Sequence, residues 1–224
     1  MDNKRPTCEK TLNKKKKEQT YKYKREESIV LNFDDDYELS QEEYYLLYSF
    51  FVTYSMCGNQ SGKKKNFVDY GWQNINLKNS PLETELQKII NLKEKQFVFT
   101  DKDNLKEEFK NNNLTDGKLS DYTTERCVIA KTNENNKYLK LFYRVRDGLA
   151  HGKFYLKKEQ DEKIVIIQDD NTHNVTARIV IKLQTLLNII KIVDKNSILE
   201  DKRRTLKDNE FVYRFGENLK KDVG

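Results

Sequence analysis

A capped helix that leads straight into two alternating strands is the feature that most constrains how this chain folds. Apolar residues at helical spacing predict a helix from about Asn136 to His151, and Gly152 follows where a left-handed, helix-ending residue is expected. The next residues alternate in polarity around an acidic turn, which predicts a β-hairpin over residues 153–168. The apolar positions that define the helix are Leu139, Phe142, Tyr143, Leu149 and Ala150.

Helix signals recur before this segment. Ser40 and Glu43 form a capping box ahead of the apolar run 44–56, which predicts a helix buried at the centre of a bundle. Ser80, followed by a proline and by Glu83, predicts the start of a second helix.

Weaker patterns complete a prediction of a mainly α fold, a helical bundle with a small β-hairpin or three-stranded sheet after the main helix. They predict a short helix capped by Asp103, a helix over 122–131 with Val128 and Ile129 inward, a third strand over 175–180, and a closing helix over 183–193.

Composition indicates one domain with charged tails. The 224 residues include 36% hydrophobic residues with 13 Tyr and 11 Phe, which can close a core although 35% of the residues are charged. We expect a flexible basic tail over 1–27, a helical domain over 28–200, and a charged C-terminal segment over 201–224 with a surface helix near 211–219. Residues 28–33 fit a short strand or an extended lead-in. The basic tail over 1–27 is either a solubilising end or an arm that touches nucleic-acid phosphates.

Net charge and cysteine content indicate which binding partners and which cellular compartment to expect. A net charge of +6 and a pI near 8.9 tilt the chain towards polyanions such as nucleic acid, although so small an excess also fits ordinary composition. Cys8, Cys57 and Cys127 are far apart and lack metal-ligand spacing, so neither a disulfide framework nor a structural zinc site is expected. No apolar stretch is long enough to span a membrane, and we therefore expect a cytoplasmic protein without a membrane partner.

The end of the main helix carries the candidate site. Histidine is scarce in this chain and changes its charge near neutral pH, so His151 is notable beside Arg146 and Asp147. Asp147 and His151 lie four residues apart on one helix face, and Asp147 is expected to hydrogen-bond the imidazole. Arg146 diverges from His151 by about 140°, so either its long side chain reaches round the helix or the site is built from two copies of this helix, which we favour. The small residues Gly148, Ala150 and Gly152 would let a partner helix approach.

A cleft between two copies of this helix, lined by Arg146 and His151 from each, would suit RNA. Arg146 would hold a phosphate, His151 would move a proton, and the 2′-hydroxyl of RNA supplies an internal nucleophile without a metal or other cofactor. Arg144 and Lys153 flank the motif as candidate RNA contacts, although Lys153 also fits a solvated position. The alternative is that Asp147 satisfies a helix-end histidine while Arg146 forms an ordinary ion pair.

The R-D-x-x-x-H pattern of Arg146, Asp147 and His151 resembles the motif of the HEPN ribonucleases, in which arginine and a polar residue precede histidine. The resemblance implies a HEPN-like helical bundle and a metal-independent endoribonuclease with its active site at a homodimer interface. It also implies a role in toxin–antitoxin, abortive-infection or other antiviral systems, with a possible antitoxin or regulatory protein encoded elsewhere. Lys153 stands where one toxin branch has a modified tyrosine, so that regulation is not implied. A catalytically inactive dimer that binds RNA or nucleotide, or senses a partner, is the alternative function.

Overall fold

A five-stranded mixed sheet is the centre of this protein in the computed structural model. The structure describes residues 35–57, 64–73, 77–90, 96–115, 124–131, 136–171 and 174–202. The strands are β1 (Phe97–Thr100), β2 (Arg126–Ala130), β3 (Phe154–Glu159), β4 (Glu162–Asn171) and β5 (Asn174–Lys182), arranged in the order β1-β2-β5-β4-β3. β1 and β2 are parallel, whereas every other neighbouring pair is antiparallel.

Most helices cover one face of this sheet. They are α1 (Gln41–Leu47), which continues into a π-helix (Tyr48–Thr53), α2 (Pro81–Ile89), α4 (Lys137–Ala150) and α5 (Leu183–Val193). Their apolar side chains form one core with the sheet residues Val165, Ile167 and Ile179. The short helix α3 (Leu105–Asn111) packs on the opposite face against Val128 and Val180. The sheet is therefore covered by helices on both faces, and α4 lies on the more heavily covered one.

The predicted mainly helical bundle is wrong, because the sheet is larger than the hairpin and third strand that the sequence suggested. The segment 122–131, predicted as a helix, instead contains β2 in the interior of the sheet. All five residues of β2 are buried, with Cys127 and Ile129 in the helix-covered core and Val128 and Ala130 in the α3 core. A strand that is buried on both faces is apolar throughout and loses the alternation that identifies strands in a sequence. β1 had no counterpart in the predicted elements.

The elements predicted from strong local signals are confirmed. Asn136 caps α4 through its side chain, which accepts hydrogen bonds from the N–H groups of Tyr138 and Leu139. The hairpin β3–β4, the third strand β5 and the final helix α5 follow as predicted. Ser40 and Ser80 both cap their helices. The predicted tail over 1–27, the lead-in over 28–33 and the surface helix near 211–219 lie outside the described residues.

Candidate functional site

The C-terminal end of α4 has a closed cap that fixes the position of His151. Gly152 adopts a φ of 63°, in the left-handed region that glycine tolerates best. Its N–H donates to the Leu149 carbonyl (3.3 Å), and the Lys153 N–H donates to the Gly148 carbonyl (2.7 Å), the paired bonds of a Schellman motif. His151 is the last residue held by the helix, and its side chain is exposed to solvent.

Arg146 and Asp147 form an ion pair next to this cap. The Arg146 Nη1 donates to Asp147 Oδ1 at 2.5 Å, and the two side chains are only 20% and 15% exposed. The Nε of Arg146 is buried without a hydrogen-bond partner. Among the described residues, Asp147 bonds to this arginine and not to the His151 imidazole, contrary to the expected hydrogen bond. Both charged groups and the histidine nevertheless lie within the last two turns of one helix.

Arg144 lies on the other flank of α4, against the sheet. Its guanidinium donates to the carboxylate of Asp169 on β4, and that carboxylate also accepts from the Thr176 hydroxyl on β5 (2.6 Å). Asp169 and Thr176 are buried, and the Arg144 side chain is 14% exposed. Burial raises the pKa of the nearby Cys127 thiol well above its ordinary value, while the positive charge of Arg144 acts in the opposite sense. Arg144 therefore ties α4 to the sheet, and its predicted contact with RNA stays a prediction.

Lys153 follows the cap and is paired as well. Its ammonium group donates to the carboxylate of Asp170 on β4, and both side chains are partly exposed. The backbone of the same residue accepts from the Gln168 N–H at 3.0 Å, which brings the end of α4 to the end of β4. Lys153 thus lies at the rim of the candidate site, where its predicted contact with RNA stays a prediction.

Gly148 does not serve the predicted approach of a partner helix. It is buried, and a Cβ atom at this position would lie 2.3 Å from Cγ2 of Ile167 on β4. The absent side chain lets α4 pack closely on its own sheet. Ala150 and Gly152 are exposed and remain available to a second subunit.

Two tyrosines that sequence reasoning placed only in a buried helix also lie at this end of α4. The Tyr48 hydroxyl donates to the Leu149 carbonyl at 3.1 Å. The rings of Tyr44 and Tyr48 stack with centroids 4.2 Å apart and an interplanar angle of 22°. We call these two residues the tyrosine pair. Their spacing of four residues was the available signal, because side chains four apart on a helix lie on the same face.

The described part of the chain shows neither a metal cluster nor a membrane helix. No group of three or more His, Cys, Asp or Glu side chains lies together there in a way that could hold a metal ion. None of the described helices is long and apolar enough to cross a bilayer. Comparison with protein-family models, curated proteins and solved structures finds no match for this chain.

Proposed function

We propose that the protein is a metal-independent endoribonuclease whose active site uses Arg146, Asp147 and His151. The observation that carries the proposal is the concentration of these groups at a rigid helix end, with the His151 side chain open to solvent. Among the described residues, Asp147 is the one hydrogen-bond partner of the Arg146 guanidinium. A guanidinium carries five N–H donors in a planar fork, so one carboxylate contact leaves donors for a phosphate.

Each group has a defined part in the proposed reaction. The 2′-oxygen of RNA attacks the adjacent phosphorus while the bond to the 5′-oxygen breaks, which yields a 2′,3′-cyclic phosphate and a 5′-hydroxyl. Arg146 stabilises the charge that accumulates on the phosphoryl oxygens. Asp147 orients Arg146 through their ion pair. His151 transfers a proton, either from the 2′-hydroxyl or to the leaving 5′-oxygen.

The stoichiometry of proton transfer favours a homodimer. One group must accept the 2′ proton and another must protonate the 5′-oxygen, but α4 supplies one histidine per chain. Two α4 ends facing each other would supply two imidazoles and two guanidinium groups to one scissile bond. The exposed surface of Ala150 and Gly152 is where the second helix would approach.

The resemblance to HEPN ribonucleases supports this proposal through the motif of α4 alone. The overall fold contributes nothing to it, because the chain is built on a five-stranded mixed sheet. Antiviral defence or a toxin–antitoxin system is the biological setting that the motif implies. An antitoxin or other regulatory partner, and a cytoplasmic location, belong to the same proposal.

Cleavage of RNA by the full chain in EDTA tests the proposed activity. We expect the wild type to produce fragments with 2′,3′-cyclic phosphate ends. His151→Ala and Arg146→Ala should each lower the cleavage rate by about 100-fold or more, the usual contribution of a proton-transfer group or of a charge-stabilising donor. His173→Ala, which removes the other histidine of the chain, should cleave as the wild type does.

Three results would contradict the proposal in different ways. Cleavage that survives both alanine substitutions would place the active site elsewhere or reveal a contaminant. RNA binding without cleavage would instead support the inactive binding module. A fully active protein that is monomeric by light scattering at the assay concentration would exclude the shared site.

A further inference from the structure

The tyrosine pair presents an aromatic ring to solvent in a held orientation. The Tyr44 side chain is 45% exposed, although one face of its ring lies on Tyr48. The exposed part is therefore the opposite face and the ring edge. Tyr48 is anchored in turn by its hydrogen bond to Leu149, so the stack cannot rotate freely.

The path of the first helix places this ring beyond the C-terminal end of α4. Going forward along the first helix, Tyr48 contacts Leu149, Phe50 and Phe51 contact Phe142, and the Cys57 thiol reaches the Leu139 carbonyl. The two helices therefore run antiparallel. Tyr44 precedes Tyr48 by one turn and so lies on the side of His151 and Gly152.

The Glu43 carboxylate, next to Tyr44 in the chain, is held in hydrogen bonds. The neighbouring Glu43 carboxylate accepts two hydrogen bonds from Lys163, at 2.8 and 3.1 Å, and one from the Ser40 N–H. Burial raises the pKa of Glu43, but these hydrogen bonds outweigh it and the pKa is lowered overall, so the carboxylate is a compensated charge. The Arg146 guanidinium and the His151 imidazole lie at the same end of α4.

We propose that Tyr44 is a stacking platform for an unpaired nucleobase of single-stranded RNA, next to the phosphate held by Arg146. This inference rests on the proposed function and names its substrate class. Proteins that bind single strands combine cationic groups on the backbone with aromatic rings under the bases, and every base offers a flat π face. Bases within a continuous duplex are stacked on each other and cannot occupy the platform.

A binding experiment separates this platform from catalysis. The probe is a 2′-O-methyl single strand containing 2-aminopurine, which lacks the nucleophilic hydroxyl and cannot be cut. Stacking on Tyr44 should quench the 2-aminopurine fluorescence when the wild type binds. Tyr44→Ala should abolish the quenching and weaken binding by roughly 5- to 150-fold, the range reported for loss of one aromatic stack.

Controls distinguish stacking from a loss of folding. Tyr44→Phe and Tyr44→Trp keep an aromatic ring and should restore both quenching and affinity. Val68→Ala removes another exposed apolar side chain, 47% exposed, and should bind as the wild type does. Thermal unfolding should show that each variant is folded at the assay temperature. Affinity for a blunt RNA duplex should be insensitive to Tyr44→Ala.

The outcomes for the two proposals are separable. Quenching that depends on Tyr44 in a protein that cuts no RNA supports the platform and overturns the nuclease. Cleavage with single-strand binding unchanged in Tyr44→Ala supports the nuclease and overturns the platform. A Tyr44→Ala variant that loses its dimer while each subunit still quenches the probe would show that a second copy covers the ring, which also overturns the platform.

Discussion

Arg144 and Arg146 are separated by one residue but pair with aspartates on different elements, and the sequence alone does not distinguish the two pairings. Arg144 points to the sheet and meets Asp169, 25 residues further along the chain. Arg146 lies on the other flank and meets its neighbour Asp147. Side chains two residues apart on a helix diverge by about 160°. The partner of Arg144 depends on the position of β4 against α4, which no local pattern records.

Asp169 and Asp170 allow a matched test of these ion pairs. Asp169→Ala leaves the largely buried guanidinium of Arg144 without its carboxylate and should lower the free energy of unfolding by about 3–5 kcal/mol. Asp170→Ala removes the partner of the partly exposed Lys153 and should cost about 0–1 kcal/mol. Urea denaturation monitored by circular dichroism measures both. Equal losses would contradict the structural role assigned to Arg144.

At the scale of single elements, the sequence predicted what local chemistry determines. The side chain of Asn136 and the left-handed Gly152 set the two ends of α4, and both are visible as residue types. The tight turn between β3 and β4 was equally visible. The π-helix was not predicted, because its wider turn depends on packing against α4 rather than on a distinctive residue at 48–53.

The hydrogen bond from the Tyr48 hydroxyl to the Leu149 carbonyl joins the π-helix to the end of α4, and its contribution to stability can be measured. Tyr48→Phe removes the hydroxyl and should destabilise the protein by about 1 kcal/mol at neutral pH, the usual net value of one hydrogen bond. Burial, and then the neighbouring Tyr44, raise the pKa of Tyr48 to about 12. Because the pKa is raised in the folded state, the stabilisation is complete below the unfolded value near 10 and is lost as the pH rises through 12.

Urea denaturation of wild type and Tyr48→Phe at pH 7, 9, 10 and 11 measures this dependence. The difference between the two proteins should be constant up to about pH 9 and should shrink as the pH approaches 11. Ionisable groups that do not contact Tyr48 are common to both proteins and cancel in the difference. A difference that grows with pH would contradict the assigned hydrogen bond.

At the scale of the whole molecule, the order of the strands was beyond the reach of sequence patterns. β2 pairs in parallel with β1 and antiparallel with β5, so its neighbours come from segments on both sides of it in the chain. The apolar run 127–130 fits a buried helix or a buried strand equally well, and four residues do not give a period. Pairing with β1 and β5 makes this segment a strand, and these partners lie far from it in the sequence. The helix that carries the candidate residues was predictable, because both of its ends are specified locally.

The position of Cys127 in the interior strand β2 makes its thiol a reporter of unfolding of the whole molecule. The residue is fully buried, and burial raises its pKa well above the ordinary value, so little reactive thiolate forms in the folded protein. In a Cys8→Ser variant, Cys57 and Cys127 are the two remaining cysteines, and both are buried and outside any disulfide. Labelling with a disulfide reagent at pH 8 should modify both after denaturation and neither promptly in the folded state.

Mapping by mass spectrometry gives the rate at each of these cysteines. Cys127 can react only when β2 leaves the sheet, so its labelling rate should rise with urea in step with the population of unfolded protein. Cys57 lies just beyond the π-helix, and a local opening of that segment would expose it without disrupting the sheet. We therefore expect Cys57 to be labelled first. Prompt labelling of Cys127 without denaturant would contradict the interior position of β2 in the sheet, and with it the sheet covered by helices that replaces the predicted helical bundle.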